Sequence, residues 1–426
     1  MFDFLIIGAG FSGLTMAERL TAQLGKRCLV VDKRNHIGGN AYDHYDSHGV
    51  LIHTYGPHYF RTNSPRIREY LSQFTEWHAV DYKILSHTDG RYWNFPINLN
   101  TFEQLIGRAS TTEEMEAWLA EKRVAIENPT NSEEVIISQV GWELYEKFFK
   151  GYTLKQWRRH PKELDASVCG RIPLRTNRDD RYLLDEFQAL PKQGYTKLFE
   201  NMIRSCGDKL EMRLNTSYGE ILPQVKFKHL VFTGPIDEFF DFQLGRLPYR
   251  SLRFEAESFT PEALASRAPQ PSHTAFPVPP QHYQPAMQVN YPGEEPFTRI
   301  VEIKHATGQD CPNTTIVREY PDNFGPGKEP YYPVPAPDSS ALYKKYKALA
   351  DEASLKPEAY LPKDCRCTGI SFIGRLATYR YYNMDQVVGM ALKEFDDLED
   401  AYTGVRDGSA SGPRLDSRSA LPKKLA

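Results

Sequence analysis

The run Gly8-Ala9-Gly10-Phe11-Ser12-Gly13 constrains this chain more than any other feature, because it stands between a short apolar stretch, Phe2–Ile7, and residues 14–24 with helical apolar spacing. Three glycines so placed demand a strand, a tight turn and a helix whose first N–H groups point at an anion. Gly8 allows the turn, Gly10 lets backbone approach a pyrophosphate, and Gly13 permits close helix packing. Cys28–Val31 reads as the next strand and ends in Asp32, about twenty residues on, where an acid can accept both hydroxyls of a ribose. A glycine turn alone also fits a helix cap with no ligand. Triplet, flanking strand and acid together indicate dinucleotide binding, and the second glycine pair in Asn35-His36-Ile37-Gly38-Gly39-Asn40 can bring backbone against the same cofactor.

Composition removes several alternatives. Lys plus Arg total 52 against 55 Asp plus Glu, a net charge of -3, so nothing favours nucleic acid or a membrane surface, and any anion site must be a local arginine cluster. No apolar run reaches the ~20 residues that span a bilayer, and residues 1–10 lack the basic start of a signal peptide, so a cytoplasmic protein without membrane insertion is expected. Cys365 and Cys367 have no further His or Cys at zinc-site spacing; free thiols and no metal are expected. The 25 tyrosines exceed what core filling requires and suit a wall that combines ring faces with hydroxyl donors.

The expected class is α/β: a Rossmann-like FAD-binding domain, discontinuous over 1–90, 190–245 and 360–400, a helical insertion domain and an antiparallel β-sheet domain. Residues 91–189 carry helical periodicity and include a polar, basic run, 176–181, expected to act as a mobile lid. Residues 229–232, closing in Thr233-Gly234-Pro235, should rejoin the first sheet. The alternating segments 251–255, 287–291, 298–304 and 315–320 should form the antiparallel sheet within 246–359. The proline-rich insertion 261–285 should hold no regular element, and 404–426 reads as a disordered tail.

Further blocks carry a resemblance. The segment from Lys33 to Tyr42 resembles the flavin segment of bacterial UDP-galactopyranose mutases. So do Gly151-Tyr152-Thr153 with Lys155-Gln156-Trp157, Arg171-Ile172-Pro173, Thr233-Gly234-Pro235-Ile236-Asp237, Pro330-Tyr331-Tyr332-Pro333-Val334, and Gly374-Arg375-Leu376-Ala377 leading into Tyr379-Arg380-Tyr381-Tyr382-Asn383-Met384. The resemblance spans about residues 1–400 apart from the insertion. It implies a flavin-dependent isomerase of cell-wall polysaccharide synthesis that interconverts UDP-galactopyranose and UDP-galactofuranose without net redox change. Reduced FAD is the active form, its N5 attacking the anomeric carbon to give a flavin–sugar adduct. Such chemistry asks the protein for positioning and anion stabilisation.

By the same resemblance Arg171 and Arg299 hold the substrate pyrophosphate, and His58 stands beside the flavin as a catalytic candidate. Tyr152, Tyr182, Tyr332 and Tyr381 surround the diphosphate and sugar, Trp157 packs on the sugar, and Phe148 and Phe149 flank the base. Gly8, Gly10, Phe11, Ser12, Gly13, Asp32, Lys33, Gly39, Asn40, His58, Thr233, Gly234, Arg375 and Met384 are the cofactor set. Each of these arginines, aromatics and the histidine would more often be a surface or core residue; motif context alone singles them out. Two departures bear on the substrate. By that resemblance Arg61 replaces a histidine, and Asn383 an aspartate, beside the sugar site, leaving the hexose open among galactose, a 2-acetamido sugar such as N-acetylgalactosamine, and a deoxy sugar. Two rivals remain at this point: an FAD-dependent amine oxidase or dehydrogenase, and a non-catalytic nucleotide-sugar binding protein. Oligomeric state is not fixed, and a homodimer is one option.

Overall fold

A computed structural model describes residues 1–170, 172–267, 276–325, 327–362 and 364–403. Its centre is a five-stranded parallel sheet in the order Leu210–Arg213, Cys28–Val31, Phe2–Ile7, Phe227–Phe232, Gly369–Phe372. The central strands read as near-continuous apolar runs because both faces are covered, as parallel sheets require. Phe4, Leu5 and Ile6 are wholly buried, each such side chain stabilising the fold by about 1.5–3 kcal/mol relative to exposure. Helices Phe11–Ala22, Tyr195–Cys206 and Met384–Thr403 cover one face, and Pro337–Leu355 lies against the other. That last helix falls inside the stretch 246–359 assigned to the antiparallel sheet, yet it packs on the parallel one.

The second sheet has seven strands, ordered Tyr332–Pro333, Tyr249–Phe259, Thr314–Asn323, Arg299–Val301, Gln288–Asn290, Ile84–Thr88, Arg91–Phe95. Its pairings are antiparallel except that Gln288–Asn290 runs parallel to Ile84–Thr88. Each alternating segment contains a strand, but of 298–304 only Arg299–Val301 pairs, and Lys304 opens the short helix Lys304–Thr307. Residues 84–95, which the expected boundaries divide between the cofactor-binding and helical parts, belong to this sheet, because the hairpin at Asp89-Gly90 buries Trp93 against the helices. The proline-rich segment is also not wholly irregular: Pro261–Ala265 is a short helix capped by the Thr260 hydroxyl. Residues 268–275 and the tail 404–426 lie outside the described residues.

Against the hairpin end of the second sheet, residues 84–95, packs a cluster of helices, Leu99–Ile106, Thr112–Lys122, Ser132–Leu144 and Gly151–Trp157, around a core that includes Met115, Leu119, Ile136 and Leu144. A π-helical stretch, Tyr145–Lys150, joins the last two. Its wider turn shifts the facing of the helix Gly151–Trp157, so that Phe148, Phe149, Tyr152, Thr153, Gln156 and Trp157 all line one cavity.

Candidate functional site

The glycine turn is built by close approach. A Cβ on Gly13 would lie 1.9 Å from the Gly8 carbonyl oxygen, so only glycine lets the helix start against the turn. Gly39, with φ +57°, brings its own backbone against Gly10, where a Cβ would stand 3.1 Å from the Gly10 Cα. Asp32 ties the two loops: Oδ2 accepts the Ala9 N–H at 2.8 Å and Oδ1 the Arg34 N–H at 2.9 Å. A carboxylate offers about four lone-pair sites, which leaves acceptors for a ribose. These residues open on a cavity of about 490 Å³, together with Phe11, Ser12, Lys33, Asn40, Thr233, Gly234, Arg375 and Met384. The cradle therefore fits a dinucleotide. Gly13 alone of the expected cofactor set does not face the cavity; it acts through the helix contact.

Across the same cavity stands Arg299, on the strand Arg299–Val301. The buried Glu319, its register partner on the neighbouring strand, accepts from Nε at 2.9 Å and from Nη2 at 2.6 Å through one oxygen. Glu319 is 1% exposed and its other oxygen has no hydrogen-bond partner. The Nη1 group of Arg299 is not used by Glu319, so the fork is oriented from behind. Tyr332 lies 5.2 Å from Tyr381 between ring centroids, Trp157 lies 6.3 Å from each, and the Arg375 guanidinium is 5.6 Å from the Tyr332 ring. Burial pushes the Tyr152 and Tyr332 hydroxyls well up against the opposing pull of Arg299, so both are hydrogen-bond donors at neutral pH.

His58 lines the cavity, with Nδ1 2.8 Å from the Gly56 carbonyl and its backbone N–H donating to His53 Nδ1 at 3.1 Å. Burial, then the neighbouring His53, lowers His58 to about 3. It is neutral; the Gly56 carbonyl holds the Nδ1 proton, and Nε2 is left as an acceptor. Arg61 also lines the cavity, but its Nη1 donates to Asp185 at 2.6 Å. The ordinary alternative for this residue, pairing with a carboxylate, is therefore present. The Asn383 carbonyl accepts the first turn of the helix Met384–Thr403, and its N–H donates to Gln386 Oε1 at 2.9 Å.

Phe148 and Phe149 reach the cavity while also serving the helical core, and Tyr182 enters from the residue after the run 176–181. Arg171 lies outside the described residues. Residues 176–181 are fastened to two helices: on Leu99–Ile106, Arg178 pairs with both oxygens of Glu103 and the Asn177 carbonyl accepts the Leu99 N–H, and on Thr112–Lys122 the Thr176 hydroxyl donates to Glu116 at 3.0 Å. Arg175 lies beneath them, donating to the Asp179 and Arg181 carbonyls.

Several cavity residues escape sequence reasoning. Arg34 donates to Asn40 Oδ1 and Glu329, each at 2.9 Å, joining loops 295 positions apart. Tyr59 donates to Gln288 Oε1 at 2.8 Å, and Gln288 Nε2 donates to Asn290 Oδ1 at 2.8 Å, forming a polar row beside Arg299. Only cross-strand register brings these together, although Gln288 and Asn290 at alternate strand positions are a usable signal.

Fold and cavity define a cofactor-dependent enzyme of the dinucleotide-binding class. A Rossmann-like NAD(P)-binding domain model matches residues 6–74, and the UDP-galactopyranose mutase family model matches residues 147–381. A Klebsiella pneumoniae protein named "Probable UDP-galactopyranose mutase" is 34% identical, covering 93% of this chain and 94% of its own. The dTDP-fucopyranose mutase of Escherichia coli is 33% identical over 91% of this chain and 96% of its own. The crystal structure of a reduced UDP-galactopyranose mutase superposes with a TM-score of 0.70 at 17% identity, covering 95% of each chain. The chain belongs to the UDP-galactopyranose mutase family. It is a flavin-dependent pyranose–furanose mutase, an isomerase of nucleotide sugars. The oxidase alternative reflects shared architecture: the Exiguobacterium sp. structure described as "Putative protoporphyrinogen oxidase" superposes at TM-score 0.59 with 12% identity, a likeness of fold alone. No helix among the described residues is long and apolar enough to cross a membrane.

Proposed function

We propose that the chain binds FAD in the Gly8–Gly13 cradle and interconverts UDP-galactopyranose and UDP-galactofuranose. The observation that carries this is the cradle and the Arg299–Glu319 pair facing one cavity lined by Tyr152, Trp157, Tyr332 and Tyr381. Reduced flavin supplies the nucleophilic nitrogen that permits ring exchange without net redox change. Arg299, joined by Arg171, takes the diphosphate as charge grows on it; guanidinium donors held in advance need little reorganisation. Tyr152 and Tyr332 remain protonated and donate to the same oxygens. Trp157 offers a flat face to the sugar and, with Tyr381, keeps water from its anomeric carbon. The run 176–181 serves as the lid, closing when diphosphate draws its arginines from their carboxylates.

A second reading concerns the sugar. Asp185 takes one of the five N–H donors of Arg61, so others remain to reach an acetamido carbonyl, and the enzyme accepts UDP-N-acetylgalactosamine alongside UDP-galactose. Dithionite-reduced and oxidised protein should be incubated with UDP-galactose, UDP-N-acetylgalactosamine and dTDP-fucose, and the products separated by chromatography. Furanose formed from UDP-galactose only by the reduced holoenzyme is the expected result. Equal rates in both redox states would refute the flavin role, and turnover of dTDP-fucose alone would refute the substrate.

A further inference from the structure

Away from the cavity, at the junction of the proline-rich segment and the seven-stranded sheet, three side chains converge without a role in the mutase reading. Glu302 follows the strand Arg299–Val301, His305 lies in the next helical turn, and His282 comes from the end of the proline-rich segment. We propose that His282, Glu302 and His305 form a binding site for one divalent transition-metal ion of the zinc class, which clasps the proline-rich segment to the sheet. One ligand atom from each residue lies within 4.8 Å of the other two. Ligands about 2.0–2.2 Å from a tetrahedral ion stand roughly 3.3–3.6 Å apart, so a closure of about 1 Å completes the geometry.

The carboxylate is prepared for a cation. Glu302 is wholly buried, and no lysine or arginine among the described residues pairs with it. Its Oε1 accepts from the Tyr283 N–H and the Thr314 hydroxyl, and its Oε2 from the Gln284 N–H at 3.0 Å. The nearby Lys304 ammonium is turned to the Gln281 carbonyl.

The imidazoles are prepared as well. His282 Nδ1 lies 3.0 Å from the Pro280 carbonyl, which fixes the proton there and leaves Nε2 with its lone pair, the arrangement that orients metal-bound histidines. His305 Nε2 stands 3.2 Å from Glu302 Oε2 and 3.0 Å from the Gln284 carbonyl. A metal takes the position of the proton now bridging them, and that proton moves to Nδ1. Two imidazoles and one carboxylate suit zinc, cobalt or nickel and not magnesium or calcium. His282 and His305 are only half-buried, so an ion has a path in and a water can complete the shell.

The inference is independent of the mutase reading and is tested on the FAD-loaded full chain after chelator treatment. Titration calorimetry with zinc chloride should show one tight equivalent, magnesium chloride none. His282→Ala should weaken zinc binding by at least about tenfold, the least expected for a lost ligand given what loss of an outer-shell partner does. Zinc should raise the melting temperature of the parent protein and not of His282→Ala, while turnover of that variant stays unchanged. Because Glu302 is buried, its replacement is avoided, and His305→Ala serves as the second variant. Absence of a tight equivalent, or equal zinc affinity in the parent and both variants, overturns the site.

Discussion

Replacing Glu319 by glutamine separates what Arg299 does for the fold from what it does for the ligand. The two side chains are joined by hydrogen bonds of 2.9 and 2.6 Å, with 1% of Glu319 and 16% of Arg299 exposed. Removing one member of a buried pair costs about 3–5 kcal/mol. Glutamine keeps an acceptor oxygen in nearly the same place, which brings the loss to about 2–3 kcal/mol. For a chain of this size that is a fall in melting temperature of about 2–3 °C without ligand.

The effect on anion binding has the opposite sign. A diphosphate now meets a guanidinium without its counter-charge, and a carboxylate about one side-chain length behind it no longer repels the ligand. At an effective dielectric of about 20 that change is worth ~1 kcal/mol or more, roughly a fivefold tightening for UDP. Turnover should nevertheless fall, because the fork is no longer held against one oxygen and spends less time in register with the leaving group. Thermal melts with and without UDP, UDP titration and initial rates on reduced enzyme measure all three. An unchanged melting temperature, or a lower one accompanied by weaker UDP binding, would refute the view that Glu319 stabilises the arginine at the expense of its pull on the anion.

Arg299→Ala should reduce turnover on the order of 10²-fold, the usual loss when one donor to a developing anion is removed, with FAD content unchanged; a loss under about threefold would remove it from the site. Gly13→Ala drives a methyl to 1.9 Å from the Gly8 carbonyl and should yield flavin-free or insoluble protein, whereas Gly219→Ala, with nothing within 4 Å of its added Cβ, should bind FAD normally. Burial lowers both His53 and His58 from 6.5 to about 3. Between those values the unfolded chain binds more protons, so stability falls as pH drops from about 6.5 towards 3, by up to ~1.4 kcal/mol per pH unit for each histidine. Melts across this range should show a shallower slope in His53→Asn, and an identical slope would contradict the assignment. Arg61→His should lower the ratio of kcat/KM for UDP-N-acetylgalactosamine over UDP-galactose about five- to a hundredfold if a donor to the acetamido carbonyl is lost; an unchanged ratio leaves Arg61 as the partner of Asp185 alone.

The legible part of the sequence is local. The glycine turn and Asp32 lie within one βαβ passage, where each residue's task follows from the backbone around it, and the alternating strands announce their sheet by parity alone. Residues 84–95 are divided wrongly by sequence because a hairpin carries no mark of which sheet it joins; its parallel pairing with Gln288–Asn290 closes a loop of some two hundred positions. The partners of the site arginines are hidden for the same reason. Asp185 meets Arg61 because strand Phe60–Thr62 pairs with Phe187–Pro191, and Glu319 meets Arg299 because two strands share a register. Some signal is nevertheless present. In Thr314–Asn323 Glu319 has the parity of Val317 and Pro321, both buried, so its carboxylate has to face inward. Glu302 follows Ile300 in the same alternating phase and is equally buried. An acid on the inward parity of a strand cannot be left bare, since an isolated buried charge is too unfavourable to survive. It therefore requires a partner from elsewhere in the chain. For Glu319 that partner is the arginine of the candidate anion site, and for Glu302 it is the His305 imidazole together with the Tyr283 and Gln284 N–H groups and the Thr314 hydroxyl.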